Sequence, residues 1–431
     1  MRGMLRVAPV GSGAVGSGAE LDIKQEWGSG MACHRAVAAA GLLLFSTTPS
    51  VGADWSVRPR VGVRALYDDN HRLTEVEGQE IEVAGGSLDA RVGLRAESPT
   101  GWFEVTPQVR STFFPDDPDE ETDDQFLRLA GEHSGPRSVL GVNVDYARVE
   151  ILRTYVAAIN ENAQLGRPET GEGITPTTTK NRQERMGIIP SFSYELSPRY
   201  GLELTAEWLD VGFDRQIEDE NEDYSFVSAS AGVGFRMSQT STLWVRGNAG
   251  KYEPDAGDPT DGYGMVAEWS KHVSKTSKAY VRAGFNQVEL VPINDDGTDT
   301  VWETGFSGGA GVQWDFEVTN IFLDATHNLD PNATGQVVTR DQIQLRLQRR
   351  LKPTTSVFAG VRGIRDSGIA SEDLFVDREY ATATVGFRWR VTEQFVLTGD
   401  YTFAWLKYDN RSDDAQSNAV SLGVVYDTQW R

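Results

Sequence analysis

The stretch Gln416 to Trp430, QSNAVSLGVVYDTQW, decides how the chain is read. Val420, Leu422, Val424, Tyr426, Thr428 and Trp430 share one face of an extended segment. Ser421, Gly423, Asp427 and Gln429 share the other, where Val425 is the apolar exception. Side chains of a strand alternate between its faces, so a two-residue period with an apolar outer side and a closing aromatic is what a lipid-facing barrel strand requires. An edge strand of a soluble β-sandwich carries the same local period, so the choice falls to the rest of the chain.

The period persists from Trp55 onward. Val57, Pro59, Val61, Val63, Ala65 and Tyr67 interleave with Arg58, Arg60, Gly62, Arg64 and Leu66. Leu88, Ala90, Val92, Leu94 and Ala96 interleave with Asp89, Arg91, Gly93, Arg95 and Glu97; Phe103, Val105, Val109 and Phe113 follow suit. Charge confined to one face, strand after strand, describes a wall between lipid and water. Short links (Ser98 to Gly101, Ser134 to Arg137, Ser197 to Arg199, Ser238 to Ser241, Ser274 to Ser277, Glu317 to Asn320, Lys352 to Thr354, Thr392 to Gln394) alternate with longer polar ones such as Asn70 to Ala84 and Arg153 to Asn181. The pattern predicts one all-β domain, a transmembrane antiparallel up-and-down β-barrel of about 18 strands (roughly 16–18), with short periplasmic turns, longer extracellular loops and both termini on the periplasmic side. Trp102, Tyr146, Trp208, Tyr252, Trp302, Trp314, Trp389, Trp405, Tyr408 and Trp430 sit near strand ends, where amphipathic rings would form membrane-interface belts or pack across strands.

Composition is consistent with this reading. A mean hydropathy of -0.40 with 24% charged residues excludes a polytopic helical membrane protein, whereas a barrel exposes only alternate residues to lipid. The 431 residues carry a formal charge of -22, which disfavours a nucleic-acid partner. Met31 to Ala53 has a short basic start, an apolar core from Ala36 to Phe45 and a small-residue end, the plan of a cleaved secretory signal peptide. The expected division is therefore 1–30 as an extension upstream of the true start, 31–53 as signal peptide and 54–431 as an outer-membrane barrel. The single cysteine, Cys33, falls in the removed segment, leaving neither disulfide nor cysteine metal site.

On the inward parity lie Arg58, Arg60, Arg64, Arg91, Arg95, Arg110, Arg128, Arg236, Arg246, Arg282, Arg346, Arg362, Arg388 and Arg390. Guanidinium groups in confined water raise the local concentration of anions and pair bidentately with carboxylates, so these residues are the expected path for an anionic solute or polymer. The competing reading has them in ladders with Glu104, Glu203, Glu207, Asp145 and Asp400 that only stiffen the wall. The acidic runs around Asp116 to Asp124 and Glu218 to Asp223 belong to loops, where they solvate loop tips or bridge to lipopolysaccharide through cations. No metal, cofactor or catalytic residue is assigned: Asp68-Asp69-Asn70-His71 superficially resembles the Asp and His pairs of outer-membrane proteases, but one local cluster does not make their site.

Two resemblances add to this. The terminal strand resembles the C-terminal signal of bacterial outer-membrane proteins, with Arg431 following the aromatic. The opening Val61 to Leu73, VGVRALYDDNHRL, with its Tyr67-Asp68-Asp69-Asn70, resembles the type 2 β-barrel porins, as do the hairpins with short Ser/Pro turns across Trp55 to Trp430. That resemblance implies an outer-membrane barrel associated with exopolysaccharide or capsule secretion, served by a separate periplasmic export partner. Three functions are thus expected in order: a conduit exporting an exopolysaccharide or other anionic sugar polymer, a general or solute-specific diffusion porin, and a surface structural or adhesion barrel with a closed lumen.

Overall fold

The computed structural model describes residues 53–76, 78–150, 181–214, 223–255, 259–290, 301–331, 337–368 and 377–428. The expected upstream extension, nearly all of the expected signal peptide, most of the 153–181 loop and Trp430 lie outside them. The strands are β1 (Asp54–Asp68), β2 (Val83–Ser98), β3 (Gly101–Phe113), β4 (Thr122–Ser134), β5 (Ser138–Glu150) and β6 (Arg182–Ser197). They continue with β7 (Tyr200–Phe213), β8 (Tyr224–Ser238), β9 (Ser241–Pro254), β10 (Thr260–Ser274), β11 (Ser277–Leu290) and β12 (Val301–Asp315). The last six are β13 (Thr319–Pro331), β14 (Val337–Lys352), β15 (Thr355–Gly368), β16 (Arg378–Arg390), β17 (Phe395–Tyr408) and β18 (Asp414–Asp427). Every strand pairs antiparallel with its sequence neighbours, and β1 also pairs with β18, so the 18-stranded sheet closes on itself. Asp54 stands opposite Glu97 and Asp427 follows the β16–β17 turn in register, which puts both ends of the barrel on the short-turn side.

Four of the short turns are closed by the hydroxyl of their first residue. Ser197 Oγ accepts from the backbone N–H of Arg199 and Tyr200 at 3.3 and 3.2 Å. Ser238 serves Thr240 and Ser274 serves Thr276 in the same way, and Thr392 Oγ1 accepts from Gln394 and Phe395. A hydroxyl thereby satisfies backbone donors that a tight reversal would strand.

On β18, Val420, Leu422 and Val424 are 49%, 54% and 48% exposed, while Ser421 and the exceptional Val425 are buried inward. The outward residues of β17 show the height of the apolar band: Phe395, Leu397, Gly399, Tyr401, Phe403 and Trp405, then Lys407. Phe395 to Trp405 advances about 33 Å at ~3.3 Å per residue, which a strand tilt of ~40° turns into about 25 Å of hydrocarbon thickness. A row of opposite charges marks its loop-side border. His327, Asp341, Arg365, Glu379, Lys407 and Asp414 are successive partners from β13 to β18, with His327 Nδ1 2.6 Å from Asp341 and Arg365 Nε 3.8 Å from Glu379.

Towards the loops the faces exchange character. Outward Asp210 and Gly212 alternate with inward Leu209, Val211 and Phe213, which pack on Tyr224 and Tyr252. Beyond the membrane the barrel has water outside and an ordinary packed core inside, so the apolar parity reverses. This corrects part of the aromatic-belt expectation. Tyr146, Trp208, Trp302, Trp314, Trp389 and Trp405 face out, but Tyr252 belongs to that inner cluster, Tyr408 packs on another, and Trp102 points into the lumen beneath the Arg95 guanidinium, 4.5 Å from its ring centre.

Position on this wall should govern tolerance to charge. Leu422→Arg, on the lipid face, is expected to cost about 2–4 kcal/mol of folding free energy in lipid vesicles, and Asn143→Arg, on the inner face, much less; urea titration of the refolded variants checks the difference.

Candidate functional site in the lumen

Cross-strand register places all fourteen of the sequence-selected arginines on the inner face, and their partners divide them. Arg95, Arg110, Arg128 and Arg246, on β2, β3, β4 and β9, are matched with acid. Arg95 reaches Glu97 and Glu104 at 3.3 Å, Arg110 reaches Asp89 at 3.2 Å and Arg128 reaches Asp145 at 2.8 Å. Arg246 links Glu203 at 3.1 Å and Glu268 at 3.4 Å. Arg282 donates to Asn328 at 3.3 Å, while Asp400 accepts from Ser421 rather than from an arginine. Arg346 and Arg388 lie 5.0 and 5.6 Å over the rings of Phe322 and Phe358.

Around the β1–β18 seam the balance is different. Among the described residues, no carboxylate lies within ion-pair distance of Arg58, Arg60, Arg64 or Arg91. Arg60 and Arg91 are direct cross-strand partners, an arrangement in which like charges destabilise a sheet. Asp427 opposes Arg60 on its other side without closing to an ion pair. Arg388 on β16 feels the charges of Arg60, Arg64 and Arg91. Gly423 is the seat of Arg64: a Cβ there would meet Arg64 Cγ at 2.5 Å. Gly232 makes the same room for Arg246, at 2.7 Å.

At the short-turn mouth this basic sector opens into a pocket of about 590 Å³. Arg60, Arg350, Lys352, Arg388 and Arg390 line it against only Glu317 and Asp427, with Asn320, Gln348, Ser356 and Thr398 as neutral hydrogen-bonding groups. Arg350 Nη2 donates to the Glu317 carbonyl at 2.7 Å. The remaining cations leave a concave surface suited to a small anion with hydroxyl or amide groups.

Sequence reading missed a second basic group nearer the loops. Asp366 is fully buried between Arg340 and Arg378. Arg340 Nε and Nη2 donate to its two oxygens at 2.7 and 3.0 Å, and Arg378 Nε and Nη2 to one of them at 3.0 and 2.6 Å. Inward parity was the available signal for these arginines. Their convergence on one carboxylate arises from pairing across β14, β15 and β16.

The loop joining β1 to β2, residues 69–82 and here termed L1, folds inward at the long-loop end. Leu73 packs inside the barrel against Ile364, Tyr380, Ala404, Leu406 and Ala415. The residues of the Tyr-Asp-Asp-Asn motif hold it there. Asp68 Oδ1 accepts from the Asn70 N–H at 3.1 Å and from Ser417 Oγ at 2.7 Å. Asp69 accepts from the backbone and side chain of Asn418 at 2.7 and 2.8 Å. Asn70 Nδ2 donates to the carbonyls of Thr74 and Gln416 at 2.9 and 3.0 Å. On the far side, buried His71 packs edge-on against Phe114, and Arg72 Nε donates to Glu120 at 3.0 Å in a 3-10 turn (Pro118–Glu120) between β3 and β4. The Asp-His cluster is thus a structural clasp on a loop.

No protein-family model matches the chain, and no curated protein matches it. Solved barrels of similar outline include OccK2 (OpdF) of Pseudomonas aeruginosa in complex with glucuronate, at 9% identity and TM-score 0.48, covering 88% of this chain and 99% of that one. OpdO of the same organism has 10% identity and TM-score 0.46, covering 88% and 98%; OccAB3 of Acinetobacter baumannii has 9% and 0.44, covering 88% and 100%. The barrel is defined by its own strand pairing.

Asp366→Asn would leave two buried guanidinium groups facing a neutral side chain. It is expected to destabilise the folded barrel by about 3–5 kcal/mol, measured as a shift of the urea midpoint in vesicles.

Proposed function

We propose that the chain is an outer-membrane diffusion channel whose lumen favours small anionic solutes. The observation that carries this is the sector of Arg58, Arg60, Arg64 and Arg91, which among the described residues is not neutralised by ion pairs. Packing like charges opposite one another costs stability, and a field that concentrates anions in confined water is a function able to maintain it. The closed sheet and the apolar band of about 25 Å support placement in a membrane with the inner face solvated. Lipid and lipopolysaccharide are then the surroundings of the wall, and the short-turn end faces the periplasm.

A small solute is preferred here to the exported polymer expected from sequence. The pocket, at about 590 Å³, has the size of a site for a single small molecule, and L1 occupies part of the loop-side lumen where a polymer would pass.

Planar-bilayer recording under a salt gradient tests the reading. The refolded chain should give a reversal potential of anion selectivity. The triple variant Arg60→Ala, Arg64→Ala, Arg91→Ala should lower the anion-to-cation permeability ratio several-fold, while Arg128→Ala, whose partner is Asp145, should alter it little. Cation selectivity in the unmodified channel would refute the proposal.

A further inference from the structure

L1 is more than an inward-folded loop, because its two anchors lie on different parts of the wall. Leu73 is docked on β15–β18. Arg72 and His71 engage Glu120 and Phe114 beside β3 and β4. Between those anchors, in circumferential order, run β1 and β2. L1 therefore lies as a short chord over the inner face of β1 and β2, the strands that carry Arg60, Arg64 and Arg91.

We propose that this chord is the size-selecting element of the pore, a fixed bar that roofs the basic sector and sets the largest solute able to reach it from the loop side. The inference rests on the channel reading above. Its bonds describe a bar rather than a mobile flap. Asp69 grips both polar groups of Asn418, and Asn70 bonds at once to its own turn and to Gln416. Arg411 pairs with Glu75 from the β17–β18 link, and His71 N–H donates to the Ile81 carbonyl across the base of the loop at 2.8 Å. Leu73 holds a left-handed backbone at φ 50°, a conformation unfavourable for a branched side chain. Its docking on the five-residue inner cluster compensates for it. The Tyr67-Asp68-Asp69-Asn70 motif thus acquires a role: it turns the chain inward at the top of β1 and ties it to β18.

Two variants test the bar. In one, residues 72–80 are replaced by a short Gly-Ser link. In the other, Leu73→Gly removes the apolar anchor while suiting the left-handed backbone. Both should raise single-channel conductance, the shortened loop by about twofold or more as the constriction widens, and both should admit larger neutral sugars in liposome swelling. If both variants fold, shown by heat-modifiable mobility, and conductance and size limit stay unchanged, the inference falls. A second readout works without any current. The barrel has no native cysteine after Cys33, so Thr384→Cys, partly exposed on the inner face below the Leu73 cluster, can be labelled with a bulky maleimide added from the loop side to intact cells. Faster labelling after L1 is shortened supports the bar even if the channel proves silent, an outcome that would count against the diffusion reading alone. Equal labelling with and without L1 overturns the bar.

Discussion

Everything in this structure depends on one requirement: a polypeptide in hydrocarbon must satisfy its own backbone hydrogen bonds. A sheet meets that requirement only by having no edge. The pairing of Arg60 to Asp68 with Asp427 to Ala419 removes the last edge, and the remaining features follow. Closure fixes an inside and an outside, the two-residue period assigns each side chain to one or the other, and the apolar band limits how far lipid reaches. Above that band the same wall meets water on its outer surface, so Val211 and Phe213 turn inward and Asp210 outward without any change in backbone geometry.

Closure also explains the inner electrostatics. An arginine on an inner strand face is neutralised by residues opposite or diagonal on the next strand, or across a glycine by one two strands away. Glu104 and Asp145 face Arg95 and Arg128 on adjacent strands, and Glu203 reaches Arg246 over Gly232 of the strand between them. At the seam, Arg60 instead meets Arg91. Circumference therefore divides the lumen into an ion-paired wall and a basic sector, and the sector meets the mouth pocket at Arg60. Inward aromatics take part as well: Phe126, Trp244, Phe322 and Phe358 lie under Arg110, Arg246, Arg346 and Arg388 and hold the guanidinium planes against the wall.

Much of this was legible before the fold was known. Val420, Leu422 and Val424 announce their face because lipid demands apolarity at each of them, and the same demand repeats around the barrel. Serine and threonine at the short turns were visible for a local reason, the hydroxyl that closes such a reversal. What was hidden depends on register. Sequence placed Arg91 on the inner parity, but whether it meets acid or Arg60 follows from how β1 and β2 align. Trp102 and Tyr252 looked like belt residues because ring type and proximity to a strand end do not specify which way the ring points. L1 was hidden for another reason: its composition is that of any polar loop, and one leucine, Leu73, carries the apolar anchoring that brings it indoors.

The clasp of L1 joins residues at opposite ends of the barrel sequence; Asp68 and Ser417 are 349 positions apart. Hairpins such as β17–β18 unite neighbours in sequence and can form early, whereas contacts of such separation bear the full entropy of closing the chain into a ring. The clasp therefore cannot assemble until the last strand has met the first. In folding order the tying down of L1 comes after the seam, so the wall is sealed before its loop-side lumen is narrowed. An unfinished barrel would have an open seam and an unanchored L1 together, and completing one makes the other possible.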